Sequence, residues 1–145
     1  MSFLNQLKLA CLGFSLRGYS RVSPAEPLSR YLTVKRWEKN KVVQHQAFLP
    51  HKEDNCTSVY RTAGLARARI RRIGEAIASA AHDGVLYGTA VISAKDVTDV
   101  SLSLKRGWSA SLHVGIAGWP PRSEKDKQMS LAQQLAAKAS FVPVA

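Results

Sequence analysis

A row of arginines is the feature of this 145-residue chain with the clearest chemistry. Arg67, Arg69, Arg71 and Arg72 come in quick succession before the first acid of their segment, Glu75. Guanidinium groups bind phosphate and carboxylate oxygens through paired hydrogen bonds. The row therefore predicts a surface that binds an anionic partner, and nucleic acid or an acidic protein surface is the expected class.

Three other residues are weaker candidates for catalysis: Arg61, Tyr87 and His113. Arg61 lies in a strand-like segment, which would hold its guanidinium rigidly against a phosphate; the alternative is an edge-strand arginine in water. His113 lies in mid-strand and could act as an acid, a base or a phosphate contact, or simply bond to a nearby carbonyl. Tyr87 could stack on an exposed base or form part of the core rim.

Common catalytic and metal-binding motifs are absent from the sequence. It contains no G-x-x-x-x-G-K-[ST] phosphate loop, no H-E-x-x-H and no pair of cysteines spaced C-x-x-C. The spacing of the histidines and of Cys56 matches no usual metal site, so neither a metal nor a cofactor is expected. Asp96 and Asp99 look like turn residues, which argues against a hydrolase with paired carboxylates.

The charge balance favours anionic partners. Twenty-one basic residues stand against ten acidic ones, which gives a net charge of +11 and a pI near 10.1. Such an excess attracts phosphate backbones, anionic membrane surfaces and acidic protein patches without sequence preference. A high-pI protein without any polyanionic partner is the plainer alternative.

The two cysteines, Cys11 and Cys56, cannot form a disulfide framework, and we expect both to be reduced in the cytoplasm. No apolar run approaches the roughly 18–20 residues that span a bilayer, so no transmembrane segment is expected. Residues 1–23 contain basic residues and no acid, which is typical of a transit peptide or of a short helix or tail, and the second interpretation is favoured. We predict an N-terminal helix or tail over residues 1–27 and one domain over residues 28–145.

Hydrophobic periodicity predicts an α+β domain with a mainly antiparallel sheet and two principal helices. The first helix, over roughly residues 64–82, has two predicted faces. Its inner face would carry Ala66, Ile70, Ile73, Ile77, Ala80 and Ala81, and its outer face Arg67, Arg71, Arg72, Glu75 and Ser79. The second helix would run from about residue 123 to 139. The predicted strands cover residues 30–37, 42–48, 57–62, 85–93, 97–104 and 111–117, with Leu112, Val114 and Ile116 of the last facing the core.

Four segments share a pattern with known sequences: AFLPHKEDNCTSVYRTAGL, LYGTAVISAKDV, HVGIAGWP and AQQLAAKA. In this order they resemble a group of small uncharacterised bacterial proteins associated with mobile elements and phage-defence neighbourhoods. The resemblance covers about residues 28–139. It implies a bacterial or phage source, argues against a transit peptide, and supplies no catalytic residues.

Three hypotheses about function follow. The first is a small basic domain that binds nucleic acid, or an acidic surface of a nucleoprotein complex, without catalysis, through Arg61 and the four helix arginines. The second is a toxin- or effector-type enzyme that acts on nucleotide or RNA through Arg61 and His113, with Tyr87 as a helper. The third is a subunit whose arginine helix docks on a larger protein. The enzyme hypothesis requires Arg61, Tyr87 and His113 to line one concave pocket.

Overall fold

The computed structural model of the chain describes residues 21–81, 83–107 and 111–144. Most of the predicted N-terminal helix or tail lies outside these ranges. The helices are α1 (Arg67–Ser79), α2 (Ala94–Asp99) and α3 (Lys125–Lys138). The strands are β1 (Pro27–Leu32), β2 (Glu38–Lys39), β3 (Val42–Val43), β4 (Thr57–Arg61), β5 (Gly88–Ser93), β6 (Ser103–Arg106), β7 (His113–Ala117) and β8 (Ser140–Val142).

Six of these strands form one sheet, in the spatial order β6-β7-β4-β1-β5-β8. All neighbouring pairs are antiparallel, and β6 and β8 are the two edges. The remaining strands, β2 and β3, form a separate hairpin. The predicted α+β class with a mainly antiparallel sheet is confirmed, and the two predicted helices are present as α1 and α3.

One face of the sheet, the core face, packs against α2, α3 and the segment from Val43 to Phe48. Residues paired in register share a face, so Leu28 and Ile92 lie together on this side. The buried apolar residues that the sheet contributes are Leu28, Leu32, Val59, Ala90, Ile92, Val114 and Ile116. Helix α3 adds Ala132 and Leu135. The main hydrophobic core therefore lies on the side of the sheet away from the arginine helix.

The opposite face, the helix face, packs against α1. Tyr31, Ile73 and Leu112 form its buried cluster, with Ile70 and Ile77 packed around them. The Tyr31 hydroxyl donates to the carbonyl of Ile70 at 2.7 Å, which ties the middle of the sheet to the helix. Ile70, Ile73 and Ile77 thus lie on the inner face of α1 as predicted, whereas Ala66, predicted on the same face, is an exposed N-cap residue. Leu112 is buried as predicted, but it belongs to this cluster and not to the core of Val114 and Ile116.

Gly74 lets α1 approach the sheet closely. A Cβ at this position would lie 2.6 Å from the Tyr31 ring and 2.8 Å from the Leu86 side chain. Real carbon atoms do not approach so closely, and an aromatic ring packed under a helix cannot move aside as a flexible chain end can. The distance between α1 and the sheet therefore depends on the missing side chain.

The predicted strand over residues 97–104 is wrong in its first half, where α2 ends at Asp99. The Ser93 hydroxyl accepts from the Asp96 amide at 3.1 Å, and the Asp96 carboxylate accepts from the Ser93 amide at 2.9 Å. This reciprocal capping box stabilises the start of a helix. Asp96 is therefore a helix-capping residue instead of a strand-flanking turn residue.

Two other predicted strands are shorter than expected. The strand expected over residues 30–37 ends at Leu32, and a 3-10 turn occupies Lys35–Trp37. The strand expected over residues 42–48 gives way to a second 3-10 turn at His45–Ala47. This second turn brings Ala47 and Phe48 into the core. Within the ranges described above, no helix combines the length and the apolar character needed to cross a bilayer.

We expect Gly74→Ala to destabilise the fold by about 1–3 kcal/mol, because the added methyl group overpacks the contact with Tyr31. Helix propensity alone would predict the opposite sign, a gain of about 1 kcal/mol. Chemical denaturation measures the difference, and Ser79→Ala, on the exposed side of α1, is the control. A more stable Gly74→Ala variant would contradict the packing argument.

Candidate functional site

The outer side of α1 carries the predicted row of arginines. Arg67, Arg71 and Arg72 are exposed, as are Glu75 and Ser79, and this arrangement agrees with the predicted outer face. Arg69 is half-buried. Arg71 donates to Glu75 at 2.8 Å in a pair in which both side chains are about half exposed, at 53% each. We call Arg67, Arg71 and Arg72 the arginine face of α1.

The charges of this helix run against its own dipole. The N-cap residue, Ala66, offers no side-chain hydrogen bond, and the first turn contains no acid. The N-terminal end of a helix carries a partial positive charge, so cations there destabilise it and acids stabilise it. Arg67 and Arg69 occupy that end, and Glu75 follows Arg71 in the less favourable order. The arginine face is therefore placed at a cost to helix stability.

Arg61, which was predicted to extend this surface, is buried. Its side chain is 1% exposed, and its Nε donates to Glu26 Oε2 at 2.6 Å. A second bond joins its Nη2 to Glu26 Oε1 at 2.8 Å, so the pair has the two-pronged geometry of a strong ion pair. Glu26 lies just before β1, and the pair fastens the start of that strand to the end of β4. Arg61 therefore lies inside the protein and not on the arginine face.

His113 lies on the helix face, half-buried beside Ser58 and Tyr60. Its Nε2 is 3.0 Å from the Ser58 hydroxyl, and its ring meets that of Tyr60 edge-on at 5.3 Å. Burial lowers the pKa of His113, and the positive charges of His51 and Arg30 lower it further, while Asp54 opposes them. Both effects favour the neutral imidazole, and which of the His113 ring and the Ser58 hydroxyl donates depends on the tautomer.

Tyr87 lies elsewhere, packed at the edge of the main core, where its amide donates to the carbonyl of Leu32 at 2.8 Å. The three weak catalytic candidates are thus in different surroundings. Arg61 pairs with Glu26, Tyr87 joins the core, and His113 stacks on the opposite face of the sheet. None of them lines either of the two cavities described below.

Arg30 is a buried charge that was not predicted from the sequence. It is 7% exposed, its Nε donates to the carbonyl of Ala47 at 2.7 Å, and its guanidinium lies 4.7 Å from the centre of the Trp37 ring. Its Nη1 also donates to the carbonyl of Ser58 at 3.2 Å. Burial lowers the pKa of Arg30 to about 10, which leaves it charged at neutral pH. Alternation with Leu28 and Leu32 along β1 was the signal that could have placed it inside.

The larger cavity, about 470 Å³, lies beside the arginine face. It runs between the first turns of α1 and the outer part of the sheet formed by β1, β5 and β8, and Arg67 and Arg71 line it. A second cavity of about 380 Å³ lies between the β2–β3 hairpin and the end of α3. Among the described residues, no three His, Cys, Asp or Glu side chains are arranged to hold a metal ion. Cys56 is a free thiol.

These features define a small α+β domain with an antiparallel sheet, a buried polar centre and an arginine face beside an open groove. No protein-family model, curated protein or solved structure matches the chain. The resemblance to small bacterial proteins of mobile elements and phage-defence neighbourhoods therefore stays a prediction.

We expect Glu26→Ala to cost about 3–5 kcal/mol of unfolding free energy, because it leaves the buried Arg61 without its carboxylate. Replacing both partners together, as Glu26→Leu with Arg61→Met, should recover much of that loss. Urea denaturation of Glu26→Leu, Arg61→Met and the double variant measures the coupling, and Glu26→Ala measures the cost of losing the carboxylate. The exposed pair of Lys127 and Glu124 supplies the control, since Lys127→Ala should barely move the midpoint.

We expect the His113 imidazole to titrate below the usual value of about 6.5 when followed by NMR. The unfolded chain then binds a proton more readily than the folded one. The stability that the neutral His113 contributes is therefore fully present above about pH 6.5 and is lost as the pH falls from there through the folded-state pKa. His113→Gln should flatten this loss between about pH 7 and pH 5. A folded-state pKa at or above that of a free histidine would contradict the burial argument.

Proposed function

We propose that this protein binds nucleic acid through the arginine face of α1, without catalysis. The observation that carries the proposal is the exposure of Arg67, Arg71 and Arg72 on one side of a helix whose other side is fixed to the sheet. A fixed helix presents its guanidinium groups in a constant arrangement, so little additional ordering is needed when they meet a phosphate chain.

The placement of charge supports the same conclusion. Arginines at the positive end of a helix are unfavourable for the free protein, and an approaching anion removes that penalty. Arg67 and Arg71 are separated by about 6 Å along the helix axis, while each strand of duplex DNA carries a phosphate every ~3.4 Å along the duplex axis. One strand lying along α1 would therefore bring about two phosphates within reach of the arginine face.

Binding of this kind carries little sequence information. Phosphate contacts orient a protein on nucleic acid, whereas base contacts specify the sequence. We therefore expect weak sequence preference. In this proposal the protein acts in the cytoplasm with both cysteines reduced, and it comes from a bacterium or a phage.

The geometry offers no comparable support for the alternatives. An enzyme that used Arg61, Tyr87 and His113 would need them together, and they lie in three separate surroundings. Docking on an acidic protein uses the same arginine face as nucleic-acid binding. It differs in its partner, and it is therefore an outcome of the experiment below.

We expect affinity for a short mixed-sequence nucleic acid to fall steeply between about 50 and 200 mM salt. Replacing Arg67, Arg71 and Arg72 together by glutamine should reduce the slope of log affinity against log salt by about 2–3, since each phosphate contact contributes roughly 0.7–0.9. Fluorescence anisotropy measures both quantities. We expect the variant to keep the fold, because all three side chains are exposed and the Arg71–Glu75 pair is at the surface.

The matched control removes the same number of charges elsewhere, as Arg122→Gln, Lys125→Gln and Lys127→Gln. Lys125 and Lys127 lie in the first turn of α3, which packs on the side of the sheet away from α1, and Arg122 lies in the turn before it; all three are exposed. An equal loss in both triple variants would mean that only net charge matters and would contradict the proposal. A partner captured from cell extract that survives nuclease treatment, with no binding to purified nucleic acid, would replace it by protein docking.

A further inference from the structure

The larger cavity is an open groove on the helix face, and Arg67 and Arg71 of the arginine face lie at its edge. Its wall is the inner edge of α1, and its floor is formed by β1, β5 and β8. Aliphatic side chains make up most of its lining: Ala68, Ile70, Leu86, Val91, Val142 and Val144. Val142 and Val144 remain 45% and 39% exposed, which is unusual for side chains of this size grouped in one place.

The hydroxyl groups of the floor are largely occupied. Ser29 and Thr62 bond to each other at 2.6 Å, and the Tyr31 hydroxyl donates to the Ile70 carbonyl at 2.7 Å. The remaining hydroxyl of the lining belongs to the half-buried Thr89. A ligand with many hydrogen-bonding groups would leave them unsatisfied here, which costs binding energy. The floor therefore suits a hydrocarbon body better than a nucleobase.

Charge is confined to one side of the groove. Arg67 and Arg71 line it at the start of α1, and the lining contains no acid. Glu75, which pairs with Arg71, lies one turn further along the helix. Glu75 offsets the charge of Arg71 and does not pair with Arg67. Arg67 therefore supplies a positive charge at the groove edge that Glu75 does not offset. The arrangement is complementary to an anionic head attached to an apolar chain.

From this complementarity we infer that the groove binds a free single-chain amphiphile with an anionic head, such as an alkyl carboxylate. The chain lies over Val91 and Val142, and the head faces Arg67. The cavity volume of about 470 Å³ is within the range of about 300–1,000 Å³ found for small-ligand sites. The site shares Arg67 and Arg71 with the proposed nucleic-acid surface, whereas its apolar floor on the sheet is not part of that surface.

Isothermal titration of the full chain with octanoate, decanoate and dodecanoate tests the inference. Affinity should rise by about fourfold for each methylene group buried. Dodecanol, with the same chain and no charge, should bind wild-type protein about two- to fivefold more weakly than dodecanoate, the range of one exposed ion pair. Arg67→Gln should remove that preference, whereas Arg72→Gln, outside the groove, should keep it.

Two variants fill the groove from different sides. Ala68→Trp places a large side chain in the groove from the exposed surface of α1, and Val91→Phe places one there from the sheet. If one variant fails to fold, the other still tests the inference. Either should weaken dodecanoate binding by roughly tenfold or more, while nucleic-acid affinity and its salt slope stay unchanged. Ser79→Trp, exposed on α1 outside the groove, should bind dodecanoate as wild type does.

The inference is overturned if both folded filling variants bind dodecanoate normally, or if wild-type protein binds dodecanol as well as dodecanoate. Binding to vesicles of anionic phospholipid without any binding to the free carboxylates would also overturn it, in favour of a membrane surface. Loss of nucleic-acid binding alone would leave it intact, because the two readouts use different ligands.

Discussion

The centre of the sheet depends on buried polar side chains, because its two middle strands pair only briefly. Strands β1 and β4 are joined in register at two positions, Leu28 with Arg61 and Ser29 with Tyr60. Beyond them, the guanidinium of Arg30 bonds to the carbonyl of Ser58 and supplies a contact between the two strands. A buried carbonyl without a hydrogen bond would cost free energy. The Arg30 side chain therefore donates the hydrogen bond to Ser58 that a backbone amide would otherwise supply.

Two more contacts reinforce the same seam. Glu26 holds Arg61, and the Ser29 hydroxyl bonds to that of Thr62. Strands β4, β7 and β6 lie on one side of the seam, and His113 belongs to β7. Strands β1, β5 and β8 lie on the other side and form the floor of the groove. Helix α1 packs on residues from both sides, Tyr31 and Leu112. The arginine face and the groove keep their relative positions because these buried bonds keep the two halves of the sheet aligned.

The parts of the fold that were predictable are those with strong periodicity. Ile70, Ile73 and Ile77 repeat at helical spacing, and α1 follows them; Val114 and Ile116 alternate, and β7 follows. The six-residue α2 was missed because a single turn and a half carries little periodic signal, although Ser93 and Asp96 have capping-box spacing. The longer an element is, the more of its periodic pattern the sequence shows, and the more readily it is predicted.

The site was harder to predict, because its members meet only through long-range pairing. Arginine is mostly exposed in proteins, so Arg61 was expected at the surface, and its partner Glu26 lies 35 positions away in sequence. The groove likewise exists only because β8, which was not predicted, pairs with β5. The exposed arginines of α1 were predictable since one helix fixes both their spacing and their direction.

The two edges of the sheet have a consequence for self-association. An open edge offers unpaired amides and carbonyls to any other strand, including one from another copy. On β6 the exposed Lys105 and Arg106 place charge along that edge, and like charges from a second copy would repel them. At the other end, β8 is three residues long and is followed by Pro143, which has no amide hydrogen to donate. Aggregation through edge-to-edge strand pairing is therefore disfavoured at both ends of the sheet.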